Sequence, residues 1–155
     1  MESLLKRVYL IEDDTKLCED FKKILANRND YTLAGITDDI TTAYEDIMND
    51  PPEIILLDLC LKKKEGGEYD GVQLVEQLKG CFTHPPCIII ISIIQEEHII
   101  ESLYNKGVDY RFDKNEPDFS AELIVKHLED IYDCIKKPKT KSDVLHIARC
   151  ELVES

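Results

Sequence analysis

Two short stretches, Ile54-Ile55-Leu56-Leu57 and Cys87-Ile88-Ile89-Ile90-Ile91, are apolar at every position. A strand with one wet face alternates apolar and polar residues. A strand that is apolar throughout needs cover on both faces. That requirement leaves few architectures, and the segments between the runs narrow them further. From Asp14 to Asn27 the apolar residues Leu17, Phe21, Ile24 and Leu25 fall on one face of a helix, with Asp14 or Thr15 as its N-cap.

The same alternation continues along the chain. Val8 to Ile11 and Tyr31 to Ile36 read as strands, and Asp38 to Met48 as a helix with Ile40, Ala43, Tyr44 and Ile47 inward. Pro51-Pro52 ends that helix. Asp70-Gly71 opens a helix carrying Val72, Val75 and Leu78 that closes near Gly80. Gln95 to Lys106 is helical with Gly107 at its C-terminal end, and Val108 to Phe112 is a short strand. Pro117 is placed to start a last helix that runs to about Lys136 through Leu123, Ile124, Leu128, Ile131 and Ile135. Five strands alternating with five helices predict an α/β domain with a parallel sheet and right-handed crossovers. Ligands of such open sheets bind beyond the carboxyl ends of the strands.

With 155 residues, the chain suits one domain of ordinary size. We place that domain at residues 1–136. After it, Lys136 to Lys141 (KKPKTK) reads as a solvated linker, and Val144, Leu145, Ile147, Ala148 and Leu152 as a short amphipathic helix, so that 137–155 is linker and C-terminal helix. A composition 43% apolar and 33% charged is that of a globular protein. A formal net charge of −13 repels nucleic acid and anionic membrane, so neither is expected as a direct partner. No apolar run is long enough to span a bilayer and the first residues lack a secretory pattern, so a cytoplasmic location is expected. The cysteines, Cys18, Cys60, Cys81, Cys87, Cys134 and Cys150, form no C-x-x-C pair. Cys81, His84 and Cys87 have a spacing open to zinc, but a structural site needs four ligands, and a proline-rich loop entering a strand is the simpler reading.

The acids are placed less simply. Asp58 ends the buried run Ile54–Leu57, where an unpaired charge is costly. The first strand also ends in acids, Glu12, Asp13 and Asp14. If the two strands are adjacent and parallel, Glu12, Asp13 and Asp58 share one pocket and repel unless neutralised. A divalent cation suits this set, because magnesium takes hard oxygen ligands and one or two carboxylates. Lys114 follows the fifth strand at the same edge, and Ser92 ends the fourth. A carboxylate nucleophile, an acidic metal pocket, an ammonium and a hydroxyl suit phosphoryl transfer to Asp58. Each residue alone has a plain explanation as a cap, a turn residue or a solvated side chain. The four strand ends together carry the claim.

As a set, LIEDD, IILLDLCL, Asp70-Gly71, IIIIS and GVDYRFDK resemble the receiver domain of two-component response regulators, in order across about residues 5–136. The resemblance implies a flavodoxin-like doubly wound sheet of strand order 2-1-3-4-5 with helices on both faces. It implies that Asp58 is the phosphoacceptor, and that Glu12, Asp13, Asp58 and the backbone carbonyl of Cys60 hold Mg2+. Ser92 would bind a phosphoryl oxygen and switch position, and Lys114 would pair with the phosphoryl group. The donor would be a histidine kinase or a phosphotransfer protein. The face of the fourth helix, fifth strand and fifth helix would serve partners or a homodimer, with Ser92, Arg111 and Tyr110 on the switch path and His98, Glu101, Tyr104 and Asp109 nearby.

The chain departs from the family pattern at four places. Arg111 stands three positions before Lys114, where an aromatic residue is usual, with Tyr110 and Phe112 on either side. Asn115 follows Lys114 where proline is usual, and Ile93 follows Ser92 where a small residue is usual. The segment from Asp58 to Gly71 is long, with the polar insert KKKEGGEYD at 62–70. Two other readings compete. A pseudo-receiver would be a constitutive protein-interaction module of the same fold. A haloacid dehalogenase-type phosphohydrolase would need a D-x-D after its first strand, and Glu12-Asp13-Asp14 does not supply one. On the favoured reading the protein is not an enzyme, although it assists its own phosphorylation and dephosphorylation.

Overall fold

The structure is a computed structural model that describes residues 5–61, 70–93 and 96–136. Its elements in chain order are β1 (Lys6–Ile11), α1 (Thr15–Ala26), β2 (Tyr31–Thr37), α2 (Ile40–Asn49) and β3 (Ile54–Asp58). They continue with α3 (Asp70–Leu78), β4 (Cys87–Ser92), α4 (Glu97–Asn105), β5 (Tyr110–Asp113) and α5 (Ala121–Lys136). The strands form one parallel sheet in the order β2-β1-β3-β4-β5, as expected. The insert at 62–69 and the linker and helix placed at 137–155 lie outside the described residues.

The continuous apolar runs are explained by the two cores. Ile54 and Leu56 of β3 and Ile89 and Ile91 of β4 point to one face, where Phe21 and Leu25 of α1 and Ile124 and Leu128 of α5 cover them. Ile55, Leu57, Ile88 and Ile90 point to the other, beneath Ile40 and Ile47 of α2, Leu74 and Leu78 of α3 and Leu103 of α4. Each such side chain contributes about 1.5–3 kcal/mol on leaving water.

Local chemistry sets the helix starts. Asp14 caps α1, accepting the Leu17 N–H at 3.2 Å, and Asp39 caps α2, accepting the Thr42 N–H at 2.9 Å. The last helix begins at Ala121 and not at Pro117. Glu116 and Phe119 donate to the carbonyls of Asp113 and Glu116, so this stretch is a pair of turns, and the Ser120 hydroxyl accepts the Leu123 N–H at 3.0 Å. The serine cap decides where the helix starts. Gly107, with φ of +110°, ends α4 in a conformation that L side chains rarely adopt. The Cys81–Cys87 loop gathers no metal ligands. Cys81 is exposed with its thiol on the Gln77 carbonyl, His84 is exposed, and Cys87 is buried at the start of β4. Among the described residues no helix is long and apolar enough to cross a membrane.

Candidate functional site

Strand register brings the acids together. Ile11 pairs with Leu57 across β1 and β3, so Glu12 and Asp58 lie side by side, one step further on. Asp58 pairs with Ile91, which puts Ser92 next at that edge. Ser92 pairs with Asp113, and the Lys114 N–H donates to the Ser92 carbonyl at 2.9 Å. Four strands thus deliver Glu12, Asp58, Ser92 and Lys114 to one end of the sheet, as the alternation of elements predicted.

Glu12, Asp58 and Ser92 are almost wholly buried, with relative exposures of 2%, 4% and 0%. Lys114 Nζ sits 2.8 Å from Glu12 Oε1 and 3.3 Å from Asp58 Oδ2. Asp58 Oδ1 accepts the Cys60 N–H at 3.0 Å, which leaves Oδ2 on the lysine side. Glu12 Oε2 accepts the N–H groups of Asp13 and Asp14 at 3.0 and 3.1 Å. Glu12 Oε1 is buried without a well-formed hydrogen bond, and its contact with Lys114 is an ion pair.

The electrostatics follow from this crowding. Burial, and then the charge of Asp58, push the Glu12 carboxyl up to about 7 against the opposing pull of Lys114. Burial disfavours the charge on Lys114, but the bond to Glu12 and the two carboxylate charges outweigh it and raise its pKa. Carboxylate oxygens of Glu12, Asp13 and Asp58 lie within 4.8 Å of one another. An all-oxygen donor set of this size, held together by the Lys114 ammonium, fits a hard divalent cation such as magnesium.

A close backbone approach supports the site. The Gly71 N–H donates to the Leu59 carbonyl at 3.1 Å. A Cβ at Gly71 would meet Leu59 Cα at 2.8 Å and the Asp58 carbonyl oxygen at 3.0 Å. Only glycine lets α3 start so close to the end of β3, which gives the Asp70-Gly71 pair a physical reason.

The remaining site residues divide by strand alternation. Tyr110 lies in the α1–α5 core, edge-on to Phe112 with ring centroids 5.0 Å apart. Arg111 points to the opposite face, 7% exposed, and pairs with Asp113 at 3.7 Å. Cys60 is half-buried beside Asp58, and Ile93 is 57% exposed at the rim. Sequence reasoning noted Asn115 only as a departure. Its side-chain amide donates to the Ile93 carbonyl at 3.1 Å, a contact between residues far apart in the chain that no pattern announced.

The sheet order β2-β1-β3-β4-β5 with carboxylates gathered at its carboxyl edge places the chain among the small flavodoxin-like α/β domains. The chain belongs to the response regulator receiver domain family, whose model matches residues 8–129. It is 33% identical over 104 residues to the transcriptional regulatory protein KdpE of Staphylococcus aureus (strain NCTC 8325 / PS 47), covering 67% of this chain and 42% of that protein. It is 23% identical over 120 residues to the oxygen regulatory protein NreC of Staphylococcus aureus (strain JH9), covering 77% and 53%. The chain thus spans about half the length of the curated relatives it matches. Two solved structures share the fold. One is a DNA-binding response regulator of the LuxR family from Staphylococcus aureus, with a TM-score of 0.68, 17% identity and coverage of 83% of this chain and 99% of that one. The other is the response regulator domain of Thermotoga maritima CheB, with a TM-score of 0.63, 19% identity and coverage of 86% and 98%.

Proposed function

We propose that Asp58 accepts a phosphoryl group from a histidine kinase or a phosphotransfer protein in a magnesium-dependent reaction, and that the acyl phosphate switches partner or dimer contacts. The observation that carries this reading is the placing of Lys114 Nζ between Glu12 and Asp58 at the edge of the sheet where the acidic cluster gathers. Asp58 Oδ2 attacks phosphorus. The new O–P bond forms as the donor's N–P bond breaks, and the donor imidazole leaves with the electron pair and takes up a proton.

Glu12, Asp13, Asp58 and the Cys60 carbonyl would hold the metal. Magnesium there supplies neutralisation of charge on the transferring phosphoryl oxygens. Lys114 follows the phosphoryl group with its ammonium, and the Ser92 hydroxyl donates to a phosphoryl oxygen. A group of about −1.5 to −2 charge added to the pocket draws both residues inward. This is signalling chemistry by a domain that is not a turnover enzyme. The α4–β5–α5 face, with Arg111 beneath α4, is the proposed route to partners or a second copy. A net charge of −13 disfavours direct contact of this chain with nucleic acid or membrane, and a cytoplasmic location is proposed with it.

Intact-protein mass after incubation with acetyl phosphate tests the reading. The expected result is one added phosphoryl group in wild type with Mg2+, and none in EDTA or in Asp58→Asn. No adduct together with no Mg2+ binding would favour the pseudo-receiver.

A further inference from the structure

Lys114 is a long, flexible side chain, so where its ammonium lies depends on how its backbone is held. Two successive ties hold it. The first is the Lys114 N–H on the Ser92 carbonyl at 2.9 Å, the last main-chain rung between β4 and β5. The second comes where the strands have already parted, and a side chain supplies it. Asn115 Nδ2 donates to the Ile93 carbonyl at 3.1 Å, across 22 positions of sequence.

Asn115 is itself oriented from below. Its N–H donates to Asp113 Oδ1 at 2.8 Å. The other oxygen of Asp113 pairs with Arg111 at 3.7 Å, and the Arg111 side chain is only 9% exposed. A chain of contacts therefore runs from a buried guanidinium through Asp113 and Asn115 to the turn that follows Ser92. Lys114 sits in the middle of it.

We propose that Asn115 is a positioning residue for the chemistry at Asp58, an inference that rests on the phosphoacceptor reading. By pinning the Ile93 carbonyl it fixes the Lys114 backbone, and with it the ammonium between Glu12 and Asp58. It also keeps the turn after Ser92 in register with Lys114, so hydroxyl and ammonium approach the phosphoryl group together. Asn115 touches neither the acids nor the reacting atoms. Its effect falls on the geometry of transfer and leaves metal binding alone.

The test uses the full chain as wild type, Asn115→Ala and the near-isosteric Asn115→Leu. Adduct formation by acetyl phosphate is followed over a range of acetyl phosphate and Mg2+ concentrations. Loss of this bond is expected to lower the maximal rate about threefold to tenfold in both variants. Half-saturating acetyl phosphate and Mg2+ affinity are expected to stay at the wild-type values, and the thermal midpoint to fall by only a few degrees. A maximal rate equal to wild type overturns the inference. So does a joint fall of rate, Mg2+ affinity and thermal midpoint, which is general loosening of the edge. If wild type forms no adduct and binds no Mg2+, the phosphoacceptor reading fails and this inference with it. If wild type forms the adduct and the variants match it, this inference alone fails.

Discussion

Lys114→Met removes the cation between two buried carboxylates while keeping an apolar stem of similar size. Glu12 Oε1 and Asp58 Oδ2 lie 2.8 and 3.3 Å from the ammonium, and their side chains are 0% and 5% exposed. Removing one partner of a wholly buried pair costs about 3–5 kcal/mol. Lys114 keeps 18% of its side chain exposed, so the low end of that range, about 3 kcal/mol, is expected near pH 8 in EDTA.

The loss must depend on pH, and its sign is set. A raised carboxyl pKa means that folded protein holds a proton the unfolded chain has released. Glu12 therefore costs stability as pH rises from the ordinary glutamate value of about 4.3 toward about 7. Without Lys114 the upper limit moves higher, because the lysine was the group holding it down. Near pH 5 Glu12 is neutral in both folded proteins, and the variant should lose about 2 kcal/mol, from the charge-assisted contact of Asp58. At pH 8, only about one unit above the wild-type Glu12 value of about 7, linkage can add at most about 1.4 kcal/mol, so a gap of about 1 kcal/mol between the two pH values is expected. Urea unfolding of both proteins near pH 5 and near pH 8 measures it. An equal loss at both pH values, or a larger one at the lower, would refute the reasoning.

Other consequences can be checked with the same preparations. Gly71→Ala places a Cβ against the backbone of Leu59 and Asp58, where neither neighbour can turn aside. It should cost about 1–3 kcal/mol in urea unfolding, and a change below about 0.5 kcal/mol would contradict the close approach. Asp58→Asn relieves repulsion in the acid pocket. Thermal melts should show it more stable than wild type in EDTA, and calorimetry should show Mg2+ binding at least about tenfold weaker. Burial and the neighbouring acids push the Cys18 thiol up to about 11, so at pH 8 only about 0.1% of it is thiolate. Iodoacetamide mapping should find exposed Cys81 labelled well before Cys18, and equal labelling would contradict the placing of half-buried Cys18 against the Glu12 carbonyl.

How much of this was legible in the sequence varies with the range of the interaction. β3 and β4 were plain because both alternating sets of their side chains are buried, so the runs have no polar interruption. Glu12, Asp58, Ser92 and Lys114 were legible because each ends a strand, and parallel order alone sends strand ends to one edge. The start of α5 was misplaced because Pro117 satisfies a helix-start rule, while the Ser120 hydroxyl makes the cap three residues later. Alternation in β5 already implied that Arg111 faces away from Tyr110 and Phe112. It did not reveal Asp113 as its partner. The Gly71 approach to Asp58 and the Asn115 bond to Ile93 were not legible in any periodicity. Each joins two loops whose separation only the folded sheet closes.

The central claim is that the carboxylate of Asp58 is the group that receives phosphorus. The most direct measurement is borohydride reduction of the protein after acetyl phosphate and Mg2+ treatment, followed by peptide mapping, since hydride converts an aspartyl phosphate to homoserine and leaves a free carboxylate unchanged. The account predicts homoserine at position 58, and none when Mg2+ is withheld. Homoserine at position 13 or 14, or phosphate retained on Ser92 with position 58 intact, would contradict it.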